Sequence, residues 1–232
     1  MVYKGIWIDT KIRNEGTMGK IEAILFDLDG TLWDSADGVL KTWNMVIEKH
    51  PECGRGLLTS EELGSYFGLP MTEIARRMFV NSTTEEQKQL MDECCELENN
   101  YLSEHGGILF PKLIETLAEL KKEYKLFVVS NCQSGYIEAF IKAHKLEAYF
   151  DDTQCWGDNM VPKGENNKYI MQRNGIQNAI YVGDTAGDEE SARVAEIPFV
   201  FAAYGFGEAV APDYTIEQFS DLPTLMQSIS EK

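Results

Sequence analysis

Histidine is scarce in this chain. His50, His105 and His144 are the only three, and they show no metal-ligand spacing with the cysteines. Cys53, Cys94, Cys95, Cys132 and Cys155 are odd in number and contain no CxxC spacing. That argues against a disulfide framework or a zinc site and for a reducing compartment. Basic residues are also few, with 21 Lys and Arg against 38 Asp and Glu and a formal net charge of −17. Neither nucleic acid nor an anionic membrane would meet a positive field, so no partner of either kind is expected. The same deficit obliges any anionic substrate to find local positive charge in its site. No apolar run approaches the length of a membrane span, and the first residues lack a basic-then-apolar signal pattern. A soluble, cytoplasmic protein is expected, without internal repeats or low-complexity segments.

What is present is an ordinary globular composition, 44% hydrophobic and 25% charged over 232 residues. Such a chain can bury a sizeable core, as one domain or as a core with a smaller insertion. Its most informative stretch is Ala23-Ile24-Leu25-Phe26-Asp27-Leu28-Asp29-Gly30-Thr31. The apolar run lacks polar alternation and reads as a strand buried on both faces. Two aspartates at its carboxyl end, followed by a turn-forming glycine, stand where open α/β sheets place their chemistry. Alternation would send Asp27 and Asp29 the same way if the strand persisted that far. Two like charges that close resist joint ionisation unless a cation is present, which hints at a bound metal.

The residues after this strand turn helical. Ser35 to Lys49 carries a helical stripe of Val39, Leu40, Trp43, Val46 and Ile47, and Pro51, Gly54 and Gly56 break it. A further helix starts near Thr59-Ser60, and two more cover Met71–Val80 and Thr84–Ser103. No strand of any length is expected between about Asp34 and His105. From Gly106 a strand–helix rhythm resumes. It comprises a helix after Pro111, a strand at Lys125–Ser130, a helix capped by Ser134 and running to about Lys145, and a short strand near Tyr149–Thr153. A helix at Gly164–Asn174, a strand at Ala179–Gly183, a helix at Ala186–Ala195 and a strand at Pro198–Ala202 follow. This alternation predicts an α/β fold with a doubly wound parallel sheet and an inserted all-helical segment. The expected division is an N-terminal extension over residues 1–19, with Met18 as an alternative start, a core of 20–33 and 106–232, and a helical insertion of 34–105.

Three strand ends finish in polar residues: Asp27 and Asp29, then Ser130-Asn131, then Gly183-Asp184-Thr185-Ala186-Gly187-Asp188. A parallel sheet would gather these at one edge, with Lys163 contributed by a loop. In that order they resemble the four motifs of the haloacid-dehalogenase-like hydrolase superfamily. The insertion after the first motif resembles the subfamily I helical cap, as in phosphoglycolate phosphatases and β-phosphoglucomutases. The resemblance runs from about Ile21 to Lys232. One departure stands out: the family usually follows its lysine with proline, whereas here Pro162 precedes Lys163 and Gly164 follows it.

The resemblance implies a Mg²⁺-dependent phosphatase acting on a small phosphate ester, with phosphoglycolate-like compounds first, as a monomer or homodimer. It makes Asp27 the nucleophile and a metal ligand, and Asp29 the general acid and base, ligating through its backbone carbonyl. Asp184 is a further ligand, Asp188 supports the metal directly or through water, and Lys163, Ser130 and Asn131 hold the phosphate. A phosphate monoester is anionic, so a carboxylate cannot approach it until charge is neutralised. Mg²⁺ suits carboxylate and carbonyl oxygens. A β-phosphoglucomutase-like phosphotransferase would share every core residue. A phospho-acceptor or binding module would have no use for a second aspartate.

Plainer roles compete at several positions. Ser130 could cap a turn, Asp188 could sit in a helix's first turn, and Lys168 lies near Lys163. Cys132 reads as a buried structural thiol, and Trp33 and Trp43 read as packing residues. Arg76, Arg77, Lys41 and Arg55 are the insertion's candidates for a substrate carboxylate or second phosphate.

Overall fold

The first apolar run forms β1 (Ala23–Phe26), buried at every position, as a strand covered by helices on both faces requires. The computed structural model describes residues 19–230; apart from Gly19, the expected N-terminal extension lies outside them. After β1 the chain turns into a short strand, β2 (Trp33–Asp34). Four helices follow: α1 (Ala36–Lys49), α2 (Ser60–Gly64), α3 (Met71–Met78) and α4 (Thr84–His105). Then come β3 (Ile108–Leu109), α5 (Leu113–Leu120), β4 (Lys125–Ser130), α6 (Tyr136–His144), β5 (Asp152–Cys155) and α7 (Trp156–Asn159). The chain closes with α8 (Lys163–Arg173), β6 (Ala179–Gly183), α9 (Ala186–Val194), β7 (Phe199–Ala202), β8 (Tyr214–Ile216) and α10 (Leu222–Ser230). No described helix is long and apolar enough to cross a membrane.

Six strands make a parallel sheet in the order β5-β4-β1-β6-β7-β8. From central β1 the chain winds outward through β4 to β5, then crosses back and winds outward again through β6, β7 and β8. The strand order therefore reverses beside β1, and a crevice opens at the carboxyl ends of β1, β4 and β6. Alternation along β1 splits the core between the two faces. Ala23 and Leu25 pack with Phe127, Val129, Ile170 and Ala192 on one, Ile24 and Phe26 with Leu126, Val128, Phe140 and Phe219 on the other.

Between β2 and β3 every regular element among the described residues is helical. The long α4 starts at a capping box, in which Thr83 Oγ1 accepts from Glu86 N–H and the Glu86 side chain accepts from Thr83 N–H. Its buried stripe of Leu90, Met91, Cys94, Glu98 and Leu102 packs with α1 and α3, while α6 of the sheet layer also meets α4. The two chain crossings between this segment and the sheet are joined as an antiparallel ribbon of β2 with β3.

Several boundaries differ from the sequence expectation. The helix expected from Ser134 begins one residue later, behind Gly135 at φ +88°. The short strand expected near Tyr149 lies at Asp152–Cys155, held in register with Phe127–Ser130 of β4. Lys163 is not in a loop: it opens α8 directly after Pro162. The β2–β3 ribbon, β8 and α10 had no counterpart in the sequence reading.

Candidate active site

Asp27 lies one residue beyond β1, Asp184 one beyond β6, and Asp188 in the first turn of α9. One carboxylate oxygen from each lies within 4.8 Å of the others, and all three residues are buried. Lys163 reaches in from the start of α8, its Nζ 2.7 Å from both Asp27 Oδ1 and Asp188 Oδ1. Three carboxylates against one ammonium leave two negative charges uncompensated. Burial, then the charges of Asp188 and Asp184, push the Asp27 carboxyl well up, against the opposing pull of Lys163. Burial and the Asp188 charge raise Asp184 to about 7, although the Phe206 N–H donates to its Oδ2 at 2.8 Å. Burial disfavours the Lys163 charge, but Asp188 and Asp27 outweigh it and hold the ammonium protonated.

This donor set suits a small, hard divalent cation. Only oxygen ligands converge, their mutual repulsion asks for positive charge, and two charges are missing. Asp27, Asp184 and Asp188 are the side chains placed to hold it; the carboxylate of Asp29 is not among them. Backbone fit keeps the cluster tight. Gly30 has φ +78°, and a Cβ there would collide with the Asp184 carboxylate. A Cβ on Gly205 would meet Gly30 O at 2.5 Å as well as the Asp184 side chain. Asp188 also performs the plainer role foreseen for it. Its Oδ2 accepts from Thr185 N–H at 3.0 Å and from Thr185 Oγ1 at 2.7 Å, capping α9, while Oδ1 serves Lys163.

Asp29 is separated from this cluster. β1 ends at Phe26, so strict alternation does not carry through to Asp29. Its Oδ1 accepts from Ser35 Oγ at 2.8 Å, Tyr136 OH at 2.8 Å and Trp33 Nε1 at 2.9 Å. Burial raises its carboxyl, and these three donors counter that in part. Trp33, expected to be a packing residue, thus also orients Asp29. Ser35, six residues after Asp29, is close enough in sequence to be found there, whereas Tyr136, from α6, left no local signal.

Asp27, Asp29, Ser130, Asn131 and Lys163 all line one cavity. Asn131 Nδ2 donates to Gly68 O at 2.9 Å, joining the sheet edge to the α2–α3 loop. Phe67 of that loop meets Phe206 with ring centroids 5.1 Å apart. The far wall comes from the helical segment and is largely apolar, including Trp43, Leu63, Tyr66, Phe67 and Ile74, with one buried acid, Glu98. Trp43, also expected only to pack, donates through Nε1 to Glu98 Oε2 at 2.5 Å.

The four basic residues singled out in the insertion do not line this cavity. Arg76 and Arg77 pair with Glu73, Arg55 pairs with Glu62, and Lys41 bonds Tyr101 OH. Each satisfies a neighbour on its own helical segment. Lys168 pairs with Glu165 on the surface of α8, which leaves Lys163 as the lysine at the site. Cys132 is buried, as expected, and borders the cavity.

A parallel sheet with an acidic crevice at its switch point and a lysine across three aspartates defines a class. The chain belongs to the haloacid dehalogenase-like hydrolase family, whose model matches residues 24–202. It is 27% identical over 218 residues to a phosphoglycolate phosphatase of Yersinia pestis, covering 87% of this chain and 91% of that protein. It is 29% identical over 218 residues, with the same coverage, to a phosphoglycolate phosphatase of Photorhabdus laumondii. Among solved structures, a predicted phosphoglycolate phosphatase from Haemophilus somnus superposes with a TM-score of 0.78 at 22% identity. That superposition covers 90% of this chain and all of the other.

Proposed function

We propose that the protein is a Mg²⁺-dependent phosphatase that hydrolyses a small phosphomonoester through a phosphoryl group carried on Asp27. The observation that carries this reading is the division of labour between two aspartates two residues apart in one cavity. Asp27 sits among carboxylates and an ammonium, whereas Asp29 sits in a three-donor clamp with its carboxyl raised. Environments that separate two carboxyls in this way suit one as nucleophile and the other as proton carrier. The helices between β2 and β3 act as a cap over the crevice, excluding water from the ester.

Asp27, Asp184 and Asp188, with the backbone carbonyl of Asp29, are the groups to hold Mg²⁺. When bound it supplies positive charge to the phosphoryl oxygens and to the Asp27 carboxylate. Lys163 and the Ser130 hydroxyl bind the remaining phosphoryl oxygens, together with backbone N–H groups near Leu28 and Asn131. Asp27 attacks phosphorus as the ester P–O bond breaks, and Asp29 gives its proton to the leaving alkoxide. Asp29, now a carboxylate, takes a proton from water as that water attacks phosphorus and releases phosphate from Asp27. Raised by burial, Asp29 keeps its proton for the first step; its three donors make the second accessible.

The relatives' named activity puts phosphoglycolate first in a substrate screen. The test is phosphate release from a panel of small phosphoesters by the native protein and by Asp27→Asn. The expected result is Mg²⁺-dependent release that the variant loses by about 10⁴-fold or more. Appreciable turnover by folded Asp27→Asn protein would remove the nucleophile assignment. Activity undiminished by chelation would remove the metal, and isomerised substrate in place of free phosphate would favour a mutase.

A further inference from the structure

Glu98, midway along α4, takes no part in the phosphoryl chemistry. It is only 3% exposed and lines the same cavity as Asp27 and Asp29. Trp43 Nε1 donates to its Oε2 at 2.5 Å, and the Gln133 amide is turned on it as well. Donors of this kind favour the charged carboxylate. Yet among the described residues no basic side chain pairs with it, and Lys163 is already engaged by Asp27 and Asp188. A buried carboxylate without a counter-ion is costly. Glu98 therefore has the form of half an ion pair. Burial pushes its carboxyl up to about 8, so it is mostly protonated near neutrality and gives up that proton when a cation arrives beside it.

The surroundings of Glu98 suit such a cation. The rings of Trp43, Tyr66, Phe67 and Tyr136 line the cavity, and aromatic faces attract an alkylammonium group. A carboxylate tail would instead bring a second negative charge against Glu98, in a wall whose arginines all pair elsewhere. The cavity, about 50 Å³ in all, also takes in the phosphoryl-binding residues Asp27, Ser130 and Lys163, so any tail it holds is short. Resting on the phosphatase reading above, we infer that Glu98 and the aromatic rings around it select phosphomonoesters with a short ammonium-bearing tail and disfavour those with a carboxylate tail. Glu98 is a specificity-determining residue in this account, facing the tail and not the phosphorus.

The test compares O-phosphoethanolamine, glycerol phosphate and phosphoglycolate as substrates of the native full chain and of Glu98→Gln. The readout is the ratio of kcat/KM between esters within one protein preparation, so any loss of folded protein cancels. The native protein should favour O-phosphoethanolamine over phosphoglycolate by at least about tenfold, and Glu98→Gln should reduce that ratio by about 10- to 100-fold. Preference for phosphoglycolate or for glycerol phosphate in the native protein overturns the inference. So does a preference for the ammonium ester that Glu98→Gln leaves unchanged. Calorimetric binding of the same three esters to Asp27→Asn separates this failure from failure of the hydrolytic reading. If that protein binds O-phosphoethanolamine preferentially while the native chain hydrolyses nothing, the tail site stands and the phosphatase falls. If esters are hydrolysed without the binding preference, the reverse holds.

Discussion

Replacing Lys163 by methionine removes the one cation among three buried carboxylates while keeping an unbranched side chain of similar length. Its Nζ lies 2.7 Å from both Asp27 and Asp188, and the lysine and both acids are at most 5% exposed. Removing one partner of a buried charged pair costs about 3–5 kcal/mol, because the remaining charge stays desolvated. For a chain of this size that corresponds to a fall in Tm of about 6–20 °C. The orphaned acids respond by taking up protons, so the loss should be smaller at pH 6 than at pH 8. Mg²⁺ replaces the missing charge, so the gap between variant and native protein should narrow when it is added. At about a hundredfold excess over its Kd, bound metal contributes about 2.7 kcal/mol to either protein, and more where it binds more tightly. The assay is thermal unfolding of Lys163→Met and native protein, with chelator and with Mg²⁺, at both pH values. A variant that melts within about 2 °C of native protein in chelator at pH 8 would refute the idea that Lys163 neutralises the cluster.

Gly205→Ala would press a Cβ against Asp184 and Gly30 O. It should cost about 1–3 kcal/mol in chemical denaturation and raise the Mg²⁺ concentration needed for half-maximal activity. Tyr136→Phe deletes the hydroxyl that donates to Asp29 and lies 2.7 Å from Ser35 Oγ, which should lower stability by about 0.5–1.5 kcal/mol. That donor favours the charged form of Asp29, so its loss should move the basic limb of the kcat/KM pH profile upward; a uniform loss of rate without a shift would count against the clamp. Metal-free protein should lose stability as pH rises from about 5 to 8. Asp184, raised to about 7, and Glu98, raised to about 8, bind protons in the folded state that the unfolded chain has already released. Lowered surface acids such as Glu73, at about 2, act in the opposite sense but below this window. Denaturation midpoints across pH check the slope, and Mg²⁺ should flatten it.

Much of the sheet was legible because its strands are continuous apolar runs ending in polar groups, a pattern that burial on both faces imposes. Those runs placed Asp27, Ser130 and Asp184 at one edge before any contact was known. The helical insertion was legible from its stripes and from the absence of a strand between Asp34 and His105. Strand β8 and the β2–β3 ribbon were not, since three- and two-residue strands carry no period. Which of the insertion's charges reach the cavity was not legible, for a related reason. Arg55, Arg76 and Arg77 find acids three to seven residues away, and sequence position does not reveal which side of a helix such a pair occupies. Glu98 and Tyr136 went unnoticed because their importance comes from tertiary neighbours: Trp43, 55 residues from Glu98, and Asp29, 107 residues from Tyr136.

Acid-quenching the native protein during turnover of an ester labelled in its phosphoryl group, then mapping the label by peptide mass spectrometry, addresses the central step most directly. A phosphoryl group on the peptide containing Asp27, lost on further incubation and absent from Asp27→Asn, is the expected result. Sustained turnover with no labelled peptide at any time, accompanied by inversion of configuration at phosphorus, would mean that water attacks the ester directly and that Asp27 is not the nucleophile.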